Sequence, residues 1–109
     1  MDTGKLFSLH GRTAVVIGGT GELCGAMAGG MAAAGAKVVL VGRDASKAET
    51  RLAAIRSHGG EAWFEACEAT SRAELQALAD RVRAKTGRTD ILVNGAGVNS
   101  PAPFLEITE

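Results

Sequence analysis

Two glycine clusters hold the residues whose types and spacing could do chemistry. The first, Gly18-Gly19-Thr20-Gly21, closes the apolar run Ala14–Ile17 and leads into an alanine-rich segment that begins Glu22-Leu23-Cys24. A strand that turns sharply into a helix leaves the first helical N–H groups without intrahelical partners. Those donors and the positive end of the helix dipole point the same way, and together they bind phosphate. The second cluster, Asn94-Gly95-Ala96-Gly97, follows the apolar run Ile91-Leu92-Val93. Glycines there let the backbone approach a ligand closely.

The first cluster does not fit G-x-G-x-x-G in a clean register, because its glycines are Gly18, Gly19, Gly21 and Gly25. No Gly-Lys-Ser/Thr follows, which excludes a P-loop. A methyltransferase-type site would also use a glycine-rich first turn, but would want an acidic residue closing the second strand, where Gly42-Arg43 stands. A structural use of the same residues is the alternative. Gly25, Gly29 and Ala33 recur at i, i+4 and i+8 and would let a helix pack closely on a strand.

The elements that must position these clusters alternate regularly. Thr13–Gly18 is predicted as a buried strand and Leu23–Ala34 as a helix, with Leu23, Met27, Met31 and Ala34 on one side and Gly35 ending it. Lys37–Gly42 is a second apolar strand. Ser46-Lys-Ala-Glu49 has the form of a capping box and opens a helix that turns Ala48, Leu52 and Ile55 inward and ends at Gly59-Gly60. Glu61–Ala66 reads as a third, edge-like strand containing Trp63 and Phe64. Ser71-Arg-Ala-Glu74 is a second capping box, followed by Leu75, Leu78, Ala79 and Val82 at helical spacing and by Gly87. Asp90–Asn94 is a fourth strand.

Strands with continuous apolar runs, separated by helices, imply an α/β fold with a parallel sheet covered on both faces. Right-handed crossovers then give a Rossmann-type strand order of 3-2-1-4. In that order the two glycine turns lie side by side at the carboxyl ends of the strands flanking the topological switch point, where open α/β sheets bind ligands.

Bulk properties narrow the function. A chain of 109 residues, 46% hydrophobic, supports one small domain with a real core. Twelve basic and twelve acidic residues cancel, so no general field favours nucleic acid or an anionic membrane. The apolar runs are far too short to span a bilayer. Met1-Asp-Thr-Gly-Lys5 lacks the apolar core of a signal peptide. Cys24 and Cys67 form no CxxC pair, and with no export signal they read as small packing residues in a reducing cytoplasm. His10 and His58 stand in no ligand-like cluster, so no metal site is expected.

With these residues in place, the chain resembles the front of a short-chain dehydrogenase/reductase. Leu9 to Gly21 is similar to that family's opening strand and cofactor turn, and Asp90-Ile-Leu-Val-Asn-Gly-Ala-Gly97 to its Asn-Asn-Ala-Gly motif. Glu68-Ala69 falls where the family has Asp-Val against the adenine. The likeness covers nearly all of Leu6 to Phe104. There are departures: in the family's Thr-Gly-x-x-x-Gly-x-Gly, Ile17 replaces the threonine, Glu22 the second glycine and Cys24 the third. The variant Gly-Gly-Thr-Gly-x-Leu-x-Gly, together with Asn-Gly-Ala-Gly-x-Asn-Ser-Pro, resembles the branch containing sugar-acid oxidoreductases of the mannonate/fructuronate type. Glu22 is expected to point to solvent, since it would repel a pyrophosphate if turned inward.

The resemblance implies a nicotinamide dinucleotide held by Gly18, Gly19, Thr20, Gly21, Glu22 and Leu23, with Asn94, Gly95, Ala96 and Gly97 as the wall beside it. An acidic residue at the end of strand two selects NAD by binding the ribose hydroxyls and repelling a 2′-phosphate. Here Gly42 occupies that position and Arg43 follows, which leaves room for a phosphate and supplies a guanidinium to pair with it. NADP is therefore the expected cofactor. Asp44, one residue on, keeps NAD as the alternative, although it also reads as a solvated residue just before the next helix.

The family transfers hydride between nicotinamide and a carbonyl or alcohol on a small molecule, using a tyrosine, a lysine and a serine beyond the fourth strand. This chain has no tyrosine, so no catalytic residue carries over. Losing the general acid alone costs about 100- to 10,000-fold. The 109 residues are accordingly expected to form a partial dinucleotide-binding domain, inactive alone, with a homo-oligomer for a full-length form. A non-catalytic nucleotide-binding module and an inactive remnant are the alternatives. A fourth strand with a bare apolar edge would leave the chain marginal or prone to association.

Overall fold

Every position of β1 (Thr13–Ile17) is buried, because strands pack against both of its edges and helices cover both of its faces. The computed structural model describes residues 3–95; Ala96 and Gly97 of the second glycine cluster lie outside them. After a short α1 (Thr3–Leu6), which the sequence pattern does not announce, come β1, α2 (Glu22–Ala33), β2 (Lys37–Gly42), α3 (Ala45–Ser57), β3 (Glu61–Ala66), α4 (Arg72–Thr86) and β4 (Ile91–Asn94). The four strands are parallel in the order β3-β2-β1-β4, as the alternation predicts. Val15 faces Val39 on one side and Leu92 on the other, and Val39 faces Trp63.

Alternate residues of each strand point to opposite faces, so the sheet builds two cores. Ala14, Val16, Val38, Leu40 and Ala62 meet Ala28 and Ala32 of α2 and Ala48, Leu52 and Ile55 of α3. Val15, Ile17, Val39 and Val41 meet Leu78 and Val82 of α4, with Cys67 between. Among the described residues α4 is the sole helix over that second face. Asp90 ties the start of β4 to β1 twice: its N–H donates to the Thr13 carbonyl at 2.9 Å, and its carboxylate accepts from the Thr13 N–H at 2.8 Å.

Three local expectations change. The face α2 buries is Gly25, Ala28 and Ala32, not the side carrying Leu23 and Met27, which stay 75% and 42% exposed. Small residues bring the helix close to a sheet already filled with valine and leucine, and of the predicted side Met31 packs partly buried against that core. The packing row is therefore i, i+3, i+7. Gly25 lies against the Arg51 side chain, whereas a Cβ on Gly29 would meet nothing within 4 Å and Ala33 is exposed. In α3 the cap is Asp44, not Ser46. The extended backbone of Asp44 lets its carboxylate accept from the Ser46 N–H at 2.9 Å and the Ser46 hydroxyl at 2.6 Å, and the helix starts at Ala45. Ser71 caps α4 as predicted, accepting from the Glu74 N–H at 3.2 Å. The Glu74 carboxylate, however, accepts from the Glu68 N–H at 3.1 Å, tying α4 to the loop after β3.

Among the described residues β4 pairs with β1 alone, and Leu92 on it is 62% exposed. Among the described residues no helix is long and apolar enough to cross a membrane, and no group of three His, Cys, Asp or Glu side chains could hold a metal ion.

Candidate functional site

At the carboxyl ends of β1 and β2 the chain turns away from the sheet and opens a cleft of about 520 Å³. Gly18 and Thr20, then Gly42, Arg43 and Asp44, then Glu68 and Ala69, and Gly95 from the fourth turn all line it. Eight of the sequence-predicted site residues thus converge from four separate loops. A hollow of about 600 Å³ between the C-terminal halves of α2 and α3 is walled by small residues and presents His58 as its sole polar side chain. The chemistry is concentrated in the first cleft.

Glycines make the two turns fit together. Gly18 has a φ of +82°, in the left-handed region that glycine adopts without strain, and its N–H donates to the Val41 carbonyl at 2.9 Å. A Cβ on Gly18 would lie 3.1 Å from the Gly95 carbonyl oxygen. A Cβ on Gly95 would lie 2.2 Å from Cys24 Sγ and 2.7 Å from the Ile17 carbonyl oxygen. The turn after β4 is therefore seated directly on the turn after β1, and Cys24 is a packing residue between them. Gly19 plays a different part: it is buried, and a Cβ there would come within 2.9 Å of both Leu40 Cδ2 and the Val16 carbonyl oxygen. It lets the loop close onto β2 and forms no part of the cleft lining. A Cβ on Gly42 would meet Thr20 Oγ1 at 3.3 Å, so the space this glycine leaves is shared with the threonine.

The start of α2 differs from the starts of α3 and α4. Asp44 and Ser71 cap those two helices with side-chain acceptors, whereas the N-cap of α2 is Gly21, with no side-chain hydrogen bond. The first intrahelical bond runs from the Gly25 N–H to the Gly21 carbonyl at 2.9 Å. The preceding N–H groups, on Glu22, Leu23 and Cys24, are the ones a helix leaves without intrahelical acceptors. Glu22 and Leu23 have exposed side chains and do not line the cleft. Asn94 closes β4 in register with Ile17 and lines the groove toward α4, not the cleft. Ala96 and Gly97 lie outside the described residues.

Four charged side chains edge the cleft. Arg43 Nη1 reaches Glu68 Oε2 at 3.3 Å, from the end of β2 to the loop after β3. The other oxygen of Glu68 accepts from the Thr70 hydroxyl at 3.1 Å. The Thr70 hydroxyl and N–H, and then Arg43, hold the Glu68 carboxyl below its ordinary pKa. Asp44 is likewise held below its ordinary value, first by the Ser46 hydroxyl and then by the Ser46 N–H, because its carboxylate serves as the α3 cap. Lys47, in the first turn of α3, is the fourth. Cys67 lies beneath, and burial pushes its thiol pKa up, as suits an inert packing residue.

The sequence reading missed Lys47 and Thr70. Lys47 carries a usable signal, since it stands three residues after Asp44 at the start of a helix that follows the candidate strand end. Thr70 carries none: what brings it to the site is its bond to Glu68.

Comparison with known proteins agrees with this architecture. The family model described as short chain dehydrogenase matches residues 12–109. The chain is 36% identical over 100 residues to an uncharacterized oxidoreductase, UxuB, of Bacillus subtilis (strain 168), covering 92% of this chain and 36% of that protein. It is 40% identical over 96 residues to a 7alpha-hydroxysteroid dehydrogenase of Escherichia coli (strain K12), covering 88% of this chain and 38% of that protein. The crystal structure of a metagenomic short-chain oxidoreductase in complex with NADP superposes with a TM-score of 0.83 at 37% identity, over 92% of this chain and 46% of that one. The chain thus spans less than half the length of these relatives.

Proposed function

The chain belongs to the short-chain dehydrogenase/reductase family, and we propose that its cleft binds the adenosine and pyrophosphate of a nicotinamide dinucleotide, NADP in preference to NAD. The whole protein would act as an oxidoreductase interconverting a small alcohol and its carbonyl compound. The observation that carries this reading is the cleft at the switch point between β1 and β4, where Gly18 and Thr20 of one glycine turn meet Gly95 of the other and the first turn leads into α2, whose start no side chain caps.

The residues present fit such a group. The N–H groups of Glu22, Leu23 and Cys24 and the positive end of the α2 dipole suit a pyrophosphate. The Glu22 side chain is exposed and does not line the cleft, so its charge need not oppose that binding. Glu68 and Ala69 border the space for an adenine. Arg43 and Lys47 supply positive charge beside Gly42, where a 2′-phosphate would stand, and Asp44 is committed to capping α3. When bound, the dinucleotide supplies the hydride donor or acceptor. No described side chain is assigned the proton transfer, and the chain contains no tyrosine. Its substrate is a small molecule, with a sugar acid the first compound to try, given the variant glycine turn. A cytoplasmic setting fits the two unpaired cysteines.

Calorimetric titration of the chain with NADP⁺ and NAD⁺ tests the reading. NADP⁺ should bind more tightly, at micromolar affinity or weaker. Arg43→Ala should reduce its advantage by about threefold to tenfold. Binding of neither nucleotide, or a preference for NAD⁺ that Arg43→Ala does not alter, would overturn it.

A further inference from the structure

We infer that Glu68 sets the cofactor preference of this site, because its carboxylate holds the Arg43 guanidinium and a 2′-phosphate must compete with it for that guanidinium. The inference rests on the dinucleotide reading above and deepens it, moving the control of specificity from β2, where sequence reasoning locates it, to the loop after β3.

Three observations carry it. First, the pair spans the site: Arg43 follows β2, Glu68 follows β3, and both line the one cleft. Second, Glu68 is anchored while Arg43 is not. One Glu68 oxygen accepts from the Thr70 hydroxyl, its own N–H donates to Glu74, and its side chain is 36% exposed. The Arg43 side chain is 78% exposed, and Glu68 is the acceptor that holds its guanidinium. The anchored carboxylate therefore determines where the exposed guanidinium rests. Third, the other carboxylate nearby serves α3 and not Arg43. Asp44 gives the same oxygen to the Ser46 N–H and hydroxyl, so Glu68 is the negative charge paired to Arg43 at this rim.

The consequence is a competition between like charges. A 2′-phosphate and the Glu68 carboxylate both seek Arg43, and they repel each other across the same few ångströms. NAD carries no 2′-phosphate and meets no such competition. Lys47, on the same cleft and in none of the close ion pairs among the described residues, feels the Asp44 carboxylate and not Glu68, and can share the phosphate charge. Glu68 thus weakens NADP binding selectively and keeps NAD within reach of the site.

The test is the affinity of the full chain for NADP⁺ and NAD⁺, compared with those of Glu68→Gln, Glu68→Asp, Arg43→Ala and the double variant. Glu68→Gln keeps the shape and an acceptor for Thr70 and removes the charge. It should tighten NADP⁺ by about threefold to tenfold and change NAD⁺ less than about twofold. Glu68→Asp should return the ratio toward that of the parent. With Arg43→Ala present, Glu68→Gln should lose most of its effect, and raised salt should shrink the gain. Equal changes for both nucleotides, or none, would overturn the inference and make Glu68 an adenine-side or loop residue. If Arg43→Ala lowers the NADP⁺ advantage while Glu68→Gln leaves it unmoved, this inference alone fails. If Arg43→Ala has no effect on the ratio, or no nucleotide binds, the reading beneath it fails as well.

Discussion

Replacing Gly95 by alanine tests the contact on which the whole site depends, the seating of one glycine turn on the other. The new Cβ would lie 2.2 Å from Cys24 Sγ and 2.7 Å from the Ile17 carbonyl oxygen. The loop cannot simply retreat, because the Gly95 N–H donates to that same carbonyl at 2.8 Å. Overpacking of this kind costs about 1–3 kcal/mol, and a weakened interstrand hydrogen bond adds about 0.5–1.5 kcal/mol. A loss of about 2–4 kcal/mol is expected, a large part of the stability of a small domain. Cys24→Ala removes the sulfur and leaves the carbonyl conflict, so in the Gly95→Ala background it should recover about 1 kcal/mol, while alone it should be mildly destabilising. Urea denaturation followed by the fluorescence of Trp63, the chain's one tryptophan, reads all four proteins. That residue sits half-buried on β3 beneath Lys85, whose Nζ lies 4.2 Å from the ring centroid. A Gly95→Ala protein within about 0.5 kcal/mol of the parent would refute the reasoning. So would a double variant whose loss equals the sum of the two single losses.

Three further outcomes are expected. Gly29→Ala and Gly30→Ala fill open space in the middle of α2, and each should stabilise the chain by about 0.5–1 kcal/mol in the same urea assay; destabilisation would mean that the helix packs there after all. Asp90 is held below its ordinary pKa by Arg88 first, then by the Thr13 N–H and by Arg12. The unfolded chain therefore takes up the proton first as pH falls. Its stabilisation is present above the unfolded value, near 3.8, and is lost as pH drops through the lower folded value, so Asp90→Asn should flatten the acid limb of a melting-temperature profile below about pH 4. An unchanged limb would assign acid sensitivity to other carboxylates. Leu92→Lys places a charge on the exposed edge strand and should reduce concentration-dependent association in sedimentation velocity; unchanged association would locate the self-contact elsewhere.

Much of the fold is written locally. Val15, Val16 and Ile17 form a continuous apolar run because β1 is buried on both faces, and strand–helix alternation with right-handed crossovers leaves little choice but the order β3-β2-β1-β4. The strands and helix ends follow from turn chemistry at Gly35 and Gly87, both at positive φ. Periodicity misjudges α2, because hydrophobic size is not what its interface selects. A helix pressed against a valine-rich sheet needs small side chains, and Gly25, Ala28 and Ala32 satisfy that while Leu23 faces outward. The Asp44 cap is missed for a related reason: two acceptors stand two residues apart, and the backbone direction at the end of β2 decides between them.

The sequence by itself determined the strand order and the convergence of two glycine turns at one end of the sheet, because these follow from short-range pattern and chain chirality, and the family was legible in the resemblance of the motifs at those turns. Tertiary structure decided which glycines face the cleft and which close the packing, since that depends on what a Cβ would meet from distant chain: Leu40 for Gly19, Thr20 for Gly42, Cys24 for Gly95. It also decided the electrostatics of the rim. Arg43 and Glu68 are far apart in sequence and fold to 3.3 Å from one another. The charge that a ligand meets is a property of that pair and of the Asp44 cap, and both exist only once β2 and β3 lie side by side.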